Sequence, residues 1–394
     1  MRVLVVGAGI AGLSFALCLR RAGHSVVVLE KAHRLRDEGY MIDFFGSGYD
    51  AAERLGLLPE IARIHYPVDS LAFVDEDGHE RFALPYPVLR RLLFGDRHFN
   101  FMRGDLEHLL HDALPAGTEI RFGTTVDQLD NIGGGVEVKL SDGSMQLFDL
   151  VVGADGVHSR VRELAFGGEK EFLRPLGYRT LAFIVEDPEL HALVGNAFRT
   201  LTTPGRQVAV YALRGNRVAT FFIHQAEGDA PPDFGLAAAR DELRRVYGAM
   251  DWLVPDLIVR CGENSQVYFD EVAQIVVPSW HRGRIVLLGD ACQCVSLLAG
   301  QGASMALAGA YVLAEELAEG EDIAFALARY ENRMQPSIET KQASGRNLAR
   351  WFVPRGPLRL AMRDLFMRLS TWRPVAHFVR RQLAADSVVT RAAI

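Results

Sequence analysis

Three segments far apart in the chain hold the residue types best suited to chemistry. The first is Gly7-Ala8-Gly9-Ile10-Ala11-Gly12, followed by the acid Glu30. In this G-x-G-x-x-G spacing Gly7 permits a tight turn, Gly9 lets the backbone meet a pyrophosphate, and Gly12 lets a helix pack on a strand. The N–H groups that open the helix, and the positive end of its dipole, suit phosphates. Glu30 stands 18 residues beyond Gly12, where a carboxylate accepts ribose hydroxyls and repels a 2′-phosphate. The nucleotide that fits is NAD-like or the ADP half of FAD. Lys31 adjoins the acid, and Arg36 and Gly39 lie on a loop that folds back toward the nucleotide. Arg103 precedes a helical pattern, where it can meet phosphate or form a structural salt bridge. The second segment, 153–162, carries Asp155 and Gly156 in a turn that leaves a strand. The third, 289–303, has Asp290 at a strand end, suited to polyol hydroxyls or to capping a helix. It closes on Gly300-Gln301-Gly302-Ala303, where small residues let something large approach a helix N-terminus.

The elements that position these groups follow from pattern. Val3–Val6, Val26–Leu29 and Arg284–Leu288 are apolar runs that read as buried strands, Met145–Val152 is a further strand, and helices are expected over 10–21 and from Gly302 to about Leu317. Glu119–Phe122 and Val136–Leu140 add strands, and Asp142-Gly143 marks a hairpin. Asp77-Gly78 marks another over Leu71–Leu84, expected as an antiparallel insertion in the first domain. Asp105 is expected to cap the helix after Arg103. Between 171 and 275 the pattern changes to strands at 181–185, 208–213 and 218–224 with a helix at 237–247. The expected organisation is α/β: a Rossmann-like dinucleotide domain at 1–170, an antiparallel substrate-binding sheet at 171–275, a return to the first domain at 276–350, and a helical segment at 351–394. That last segment is amphipathic, with Arg359, Arg363 and Arg368 among Leu360, Met362, Leu365, Phe366 and Leu369. It is read first as a brace between domains, then as a lid, and last as a membrane-surface helix.

Composition narrows the classes. The 394 residues are 49% hydrophobic, enough for two or three domains without metals or disulfides. The net charge of −6 gives no sign of nucleic-acid binding. The charge is uneven, because 345–394 holds ten arginines against Asp364 and Asp386. Cys292-x-Cys294 has no second pair, which argues against a metal site, and four cysteines fit a reducing cytoplasm. The long uncharged stretch at 291–314 is broken by glycine and glutamine and reads as a buried turn and helix, not a membrane span.

Taken in order, GAGIAG with Glu30, GADGVHSRVR at 153–162 and GDACQCVSLLAGQG at 289–302 resemble the FAD-dependent aromatic hydroxylase family, the para-hydroxybenzoate hydroxylase type of group A flavoprotein monooxygenases. Within it the IDFFGSGYDAAERLGLL stretch and helical C-terminus look most like the tetracycline-inactivating enzymes. The resemblance implies FAD, held at its ADP half by Gly7, Gly9, Ala11, Gly12, Glu30 and Lys31. It places Arg103 and Asp290 on the phosphate and ribityl chain, Asp155 and Gly156 in a motif serving FAD and the nicotinamide donor, and 300–303 beside the isoalloxazine. It further implies reduction by NADPH or NADH, reaction with O₂ to a flavin hydroperoxide, and oxygen transfer to a phenolic, enolic or polyketide substrate. The protein is expected to be a monomer or homodimer. Gln293 and Leu297 depart from the family's usual His and Pro. With the flavin carrying the chemistry no acid–base pair is demanded, and Tyr211, Phe222 and His224 are the candidate substrate contacts on the second sheet. Three other readings stay open. They are an FAD-bound ligand-sequestering protein without turnover, a flavin halogenase (disfavoured because Trp252, Trp280, Trp351 and Trp372 are scattered), and a nicotinamide-only dehydrogenase.

Overall fold

The computed structural model describes residues 1–35, 39–228, 234–263, 265–320, 322–372, 375 and 387–390, with backbone only at 347–350. Strands Arg2–Val6, Ser25–Glu30 and Leu150–Gly153 are apolar along nearly their whole length, so they pair in the middle of a sheet buried on both sides. That sheet has six strands in the order 281–282, 285–287, 150–153, 2–6, 25–30, 119–122. All but the first run parallel: Val6 is in register with Gly153 on one side and Leu29 on the other, and Gly153 with Leu287. Helices Ile10–Arg21 and Gly302–Ala318 pack together over this sheet. A three-stranded antiparallel meander from 126 to 148 adds Val126, Val136, Val138 and Phe148 to the same core.

A second sheet of seven strands runs in the order 267–275, 173–186, 217–225, 206–213, 197–203, 70–74, 80–85. The hairpin expected within the first domain therefore belongs to this one. Ser70–Val74 lies parallel to Ala197–Thr203, with Leu71 opposite Phe198 and Phe73 opposite Thr200. The pairing covers an edge that 197–203 would otherwise expose. Two local expectations also change. Helix Arg103–Asp112 starts two residues before Asp105, with Met102 at its N-cap position. Val126–Asn131 is a strand despite its polar sequence, because it pairs with 136–140.

The two faces of the second sheet have different neighbours. Leu181, Phe183, Val208, Val210, Val218 and Phe222 pack on helix Leu236–Tyr247. Tyr178, Ala182, Ala209, Phe221 and Ile223 face the first domain. The expected pocket residues Phe222 and His224 thus lie on the far face, away from the dinucleotide domain. His224 is buried, with Nε2 2.8 Å from Glu242 Oε1 and Nδ1 3.1 Å from the Tyr247 hydroxyl. Arg179 and Arg245 also donate to Glu242. Only Tyr211 of the three falls on the near side, where its hydroxyl accepts from the Met41 amide at 2.6 Å. It also lines a cavity of about 260 Å³ with Tyr66, His191 and Arg214.

Helix Ile323–Phe352 spans the two sheets. Gln342 Nε2 donates to the carbonyls of Ile275 and Cys294, and Gln274 Nε2 donates to those of Val295 and Gln342. This earlier helix shares the bracing expected of 351–394, whose Arg363 bonds the second sheet and whose Val388 and Val389 join the first core. Among the described residues no helix is long and apolar enough to cross a membrane.

The Glu242 cluster makes stability depend on pH. Burial works to raise this carboxyl, but hydrogen bonds from Arg245, His224 and Arg179 hold it at about 2, against 4.5 unfolded. Its contribution is full above the unfolded value and is lost as pH falls toward 2. In chemical denaturation at successive pH values, Glu242→Gln should be less stable than the parent at pH 7. The difference should shrink as the pH is lowered through this window.

Candidate functional site

Because five strands of the first sheet run parallel, their carboxyl ends share one edge. Gly7 follows Val6, Glu30 ends its strand, Ala154 and Asp155 follow Gly153, and Asp290 lies three residues past Leu287. That edge is where ligands bind open α/β sheets. Register alone brings all three sequence motifs together there.

Close packing locks them. Gly7 has φ +107°, and a Cβ on it would stand 2.4 Å from the carbonyl oxygen of Ala154. Gly289 has φ +63°, and its Cβ would stand 2.6 Å from that of Ala11. Ala11 is therefore a buried packing residue between the first and third motifs. Gly12 lies in the first turn of its helix, on the inner side. The second and third motifs are joined by Arg162, which is 1% exposed. Its Nη1 donates to the Ala291 carbonyl at 3.0 Å and its Nη2 to that of Val157 at 2.6 Å. Sequence reasoning saw Arg162 only as part of a motif string. Asp155 is used in shaping its own turn: Oδ1 accepts from Ser159 Oγ, and Oδ2 from the amides of Arg160 and Val161.

The groups left to meet a ligand lie around this edge. Helix Ile10–Arg21 has Gly9 at its N-cap, no side-chain cap and no acid in its first turn, so its N–H groups remain for an anion. Glu30 accepts from the Ala8 amide at 3.0 Å and the Ala32 amide at 2.8 Å, one on each oxygen. An ionised carboxylate keeps further lone pairs for ribose hydroxyls. Arg103 leans over Gly9 from the start of its helix, with Nη2 2.8 Å from Glu107 Oε1. Glu107 raises the Arg103 guanidinium further above its already high range. Asp290 is surface-accessible yet enclosed by protein, and desolvation pushes its carboxyl up against the opposing pull of Arg103. Gly302 is close by, 3.8 Å from Asp290 Oδ1 to an added Cβ. Gly302–Ala318 likewise starts with no side-chain cap and no acid in its first turn. Gly300 sits in the left-handed region, and Gly156 and Gly300 have open space around them. Ala303 is half-buried and Lys31 is exposed. Arg36 lies outside the described residues.

Facing this edge is the near side of the second sheet. Tyr40, on the returning loop, meets Tyr268 edge-on at 5.6 Å and Phe221 at 6.1 Å. Burial pushes the Tyr40 and Tyr268 hydroxyls up, so both are neutral. His158, in the second motif, reaches both Glu169 and Asp270 of the second sheet. These acids, Asp270 first, raise its imidazole to about 9. Tyr40, Phe221 and Tyr268 were not anticipated, and the only available signal was strand parity.

The third motif bends sharply. Ser296 holds φ +97°, a conformation costly for a residue with a side chain, and its Oγ accepts from the Leu298 amide. Leu297 begins a 3₁₀ turn and packs against the near-face cluster that holds Ala182, Phe221 and Val353. Gln293 is buried, donating to the Tyr330 hydroxyl at 2.5 Å. Lys341, also buried, donates to the side chain of Gln301 behind the glycine loop.

A family model described as an FAD binding domain matches residues 1–339. An uncharacterized protein of Mycobacterium tuberculosis is 34% identical over 343 residues, covering 86% of this chain and 91% of that protein. A flavin-dependent monooxygenase from an unknown prokaryotic organism is 29% identical over 359 residues, covering 88% of each. The crystal structure of tetracycline destructase Tet(51) superposes with a TM-score of 0.84 at 27% identity, covering 98% of this chain and 99% of that one. Klebsiella pneumoniae HpxO, complexed with FAD and uric acid, shares the fold with a TM-score of 0.79 at 24% identity, covering 97% and 96%.

Removing the buried arginine should loosen the site from within. Arg162→Leu leaves two enclosed carbonyls without their donor, so urea denaturation should show a loss of about 2–3 kcal/mol. The same change at exposed Arg160 should fall within about 0.5 kcal/mol of the parent.

Proposed function

The chain belongs to the FAD-binding-domain family of flavin-dependent monooxygenases, and from that premise we propose that it uses NADPH or NADH and O₂ to hydroxylate a hydrophobic phenolic or enolic compound of polycyclic type. What carries the proposal is the convergence of three motifs on one sheet edge, with Arg103 and Asp290 close enough to feel each other's charge. The residues present fit FAD: two uncapped helix N-termini, a ribose-binding acid, and a cation and a carboxylate where the phosphates and polyol chain would run.

In this reading Gly7, Gly9, Gly12 and Glu30 hold the ADP half, Arg103 and Asp290 hold the phosphate–ribityl region, and 300–302 lies beside the ring system. When bound, FAD supplies the electron transfer and oxygen activation. The chain's own residues bind, orient and exclude water. Asp290 is made reluctant to stay charged by its enclosure, so a hydroxyl partner favours it over bulk solvent. Tyr40, Phe221 and Tyr268 offer apolar ring faces for an aromatic substrate. The similarity to tetracycline destructase supports a polycyclic enolic or phenolic substrate.

Purified protein should be yellow, and Asp290→Ala combined with Glu30→Ala should weaken FAD binding by at least about tenfold, or about 1.4 kcal/mol. Phenolic polyketides should accelerate NAD(P)H oxidation, with mass spectrometry showing gain of one oxygen. Flavin that stays oxidised with every nicotinamide and substrate would favour a ligand-sequestering role instead.

A further inference from the structure

Helix Pro357–Leu369 is turned inside out relative to an ordinary surface helix. Its charged Arg363 and Asp364 are 6% and 4% exposed, while Leu358, Met362 and Leu365 are 75%, 56% and 59% exposed. The inward groups are fully engaged. Arg363 pairs with Asp364 at 2.7 Å and donates to Thr202, Gln207 and the Phe352 carbonyl. Asp364 also lies 3.0 Å from Arg81. These contacts fasten one side of the helix to the seven-stranded sheet, and so present the other side outward.

The outward side is continuous. Leu358, Met362, Leu365, Leu369 and Trp372 follow at spacings of four, three, four and three, and Trp351, near the end of the preceding helix, lies 5.4 Å from the Phe366 ring. Leu369, Trp372 and Trp351 are exposed as well. Arg355, Arg359 and Arg368 are exposed among them. Within 345–372 the sole acid is Asp364, which is already neutralised inward. The patch is thus apolar with arginines throughout, and carries Trp351 beside Phe366 and Trp372 past its C-terminal end.

We infer that this face docks on an anionic phospholipid bilayer, with the helix lying in the plane of the interface. Each feature matches that partner. Leucine and methionine enter the acyl boundary, tryptophan favours the headgroup level, and arginines attract anionic lipid. The same four–three spacing could seat a second copy of the chain. That arrangement would bring Arg355, Arg359 and Arg368 against their own counterparts, with no exposed acid on the helix to relieve them. Charge therefore selects lipid over self-pairing.

Vesicle sedimentation tests the inference with the full-length FAD-loaded protein. Vesicles of phosphatidylcholine mixed with phosphatidylglycerol should retain it, vesicles of phosphatidylcholine alone should not, and high salt should release it. Met362→Glu with Leu365→Glu should lower the partition coefficient at least about tenfold and leave the melting temperature unchanged, since both positions face outward. In a separate readout, tryptophan emission should shift to the blue on the mixed vesicles, and the shift should shrink in Trp351→Phe with Trp372→Phe. Equal retention on both lipid mixtures, or retention that ignores the Met362/Leu365 change, would overturn the inference. So would a concentration-dependent dimer that the same change abolishes while no vesicle binds, which would mark the face as a contact between copies.

Discussion

The architecture depends on how closely three strand ends can approach. The gap between Gly7 and the Ala154 carbonyl, and between Gly289 and Ala11, admits no further carbon atom. Arg162 then ties the second motif to the third through the carbonyls of Val157 and Ala291. With those distances fixed, Glu30, Asp290 and the two helix N-termini have little freedom left. The edge is pre-shaped before any ligand arrives, so less ordering has to be repaid on binding.

Around that edge the protein places charge selectively. Asp155 and Arg162 bond to the chain itself, the first to its own turn and the second to carbonyls of two motifs. Asp290 and Arg103 are different: both are reachable, both are surrounded by protein, and each biases the other. Across from them stand Phe221 and Tyr268 of the second sheet, with Tyr40 of the returning loop against both.

Much of this was legible in the sequence, and the reason is local. Glycine spacing, uncharged strands and the acid at Glu30 are each decided by a few neighbouring residues, and parallel pairing then brings them to one edge. What was hidden depended on register. Residues 217–225 read RVATFFIHQ, buried at nearly every position because both faces are covered. Such a run carries no alternation to say that Phe221 turns toward the first domain and Phe222 and His224 away from it. The hairpin at 70–85 was equally ambiguous, since only a distant strand, 197–203, determines which sheet it joins. The buried Arg162 gives no compositional hint of its burial, because its partners are backbone carbonyls.

The carboxamides of Gln274 and Gln342 stitch the long helix to the ends of both sheets at one place. A hinge that parted the lobes would have to break all of these bonds together. The bonds thus oppose parting of the two lobes at that place.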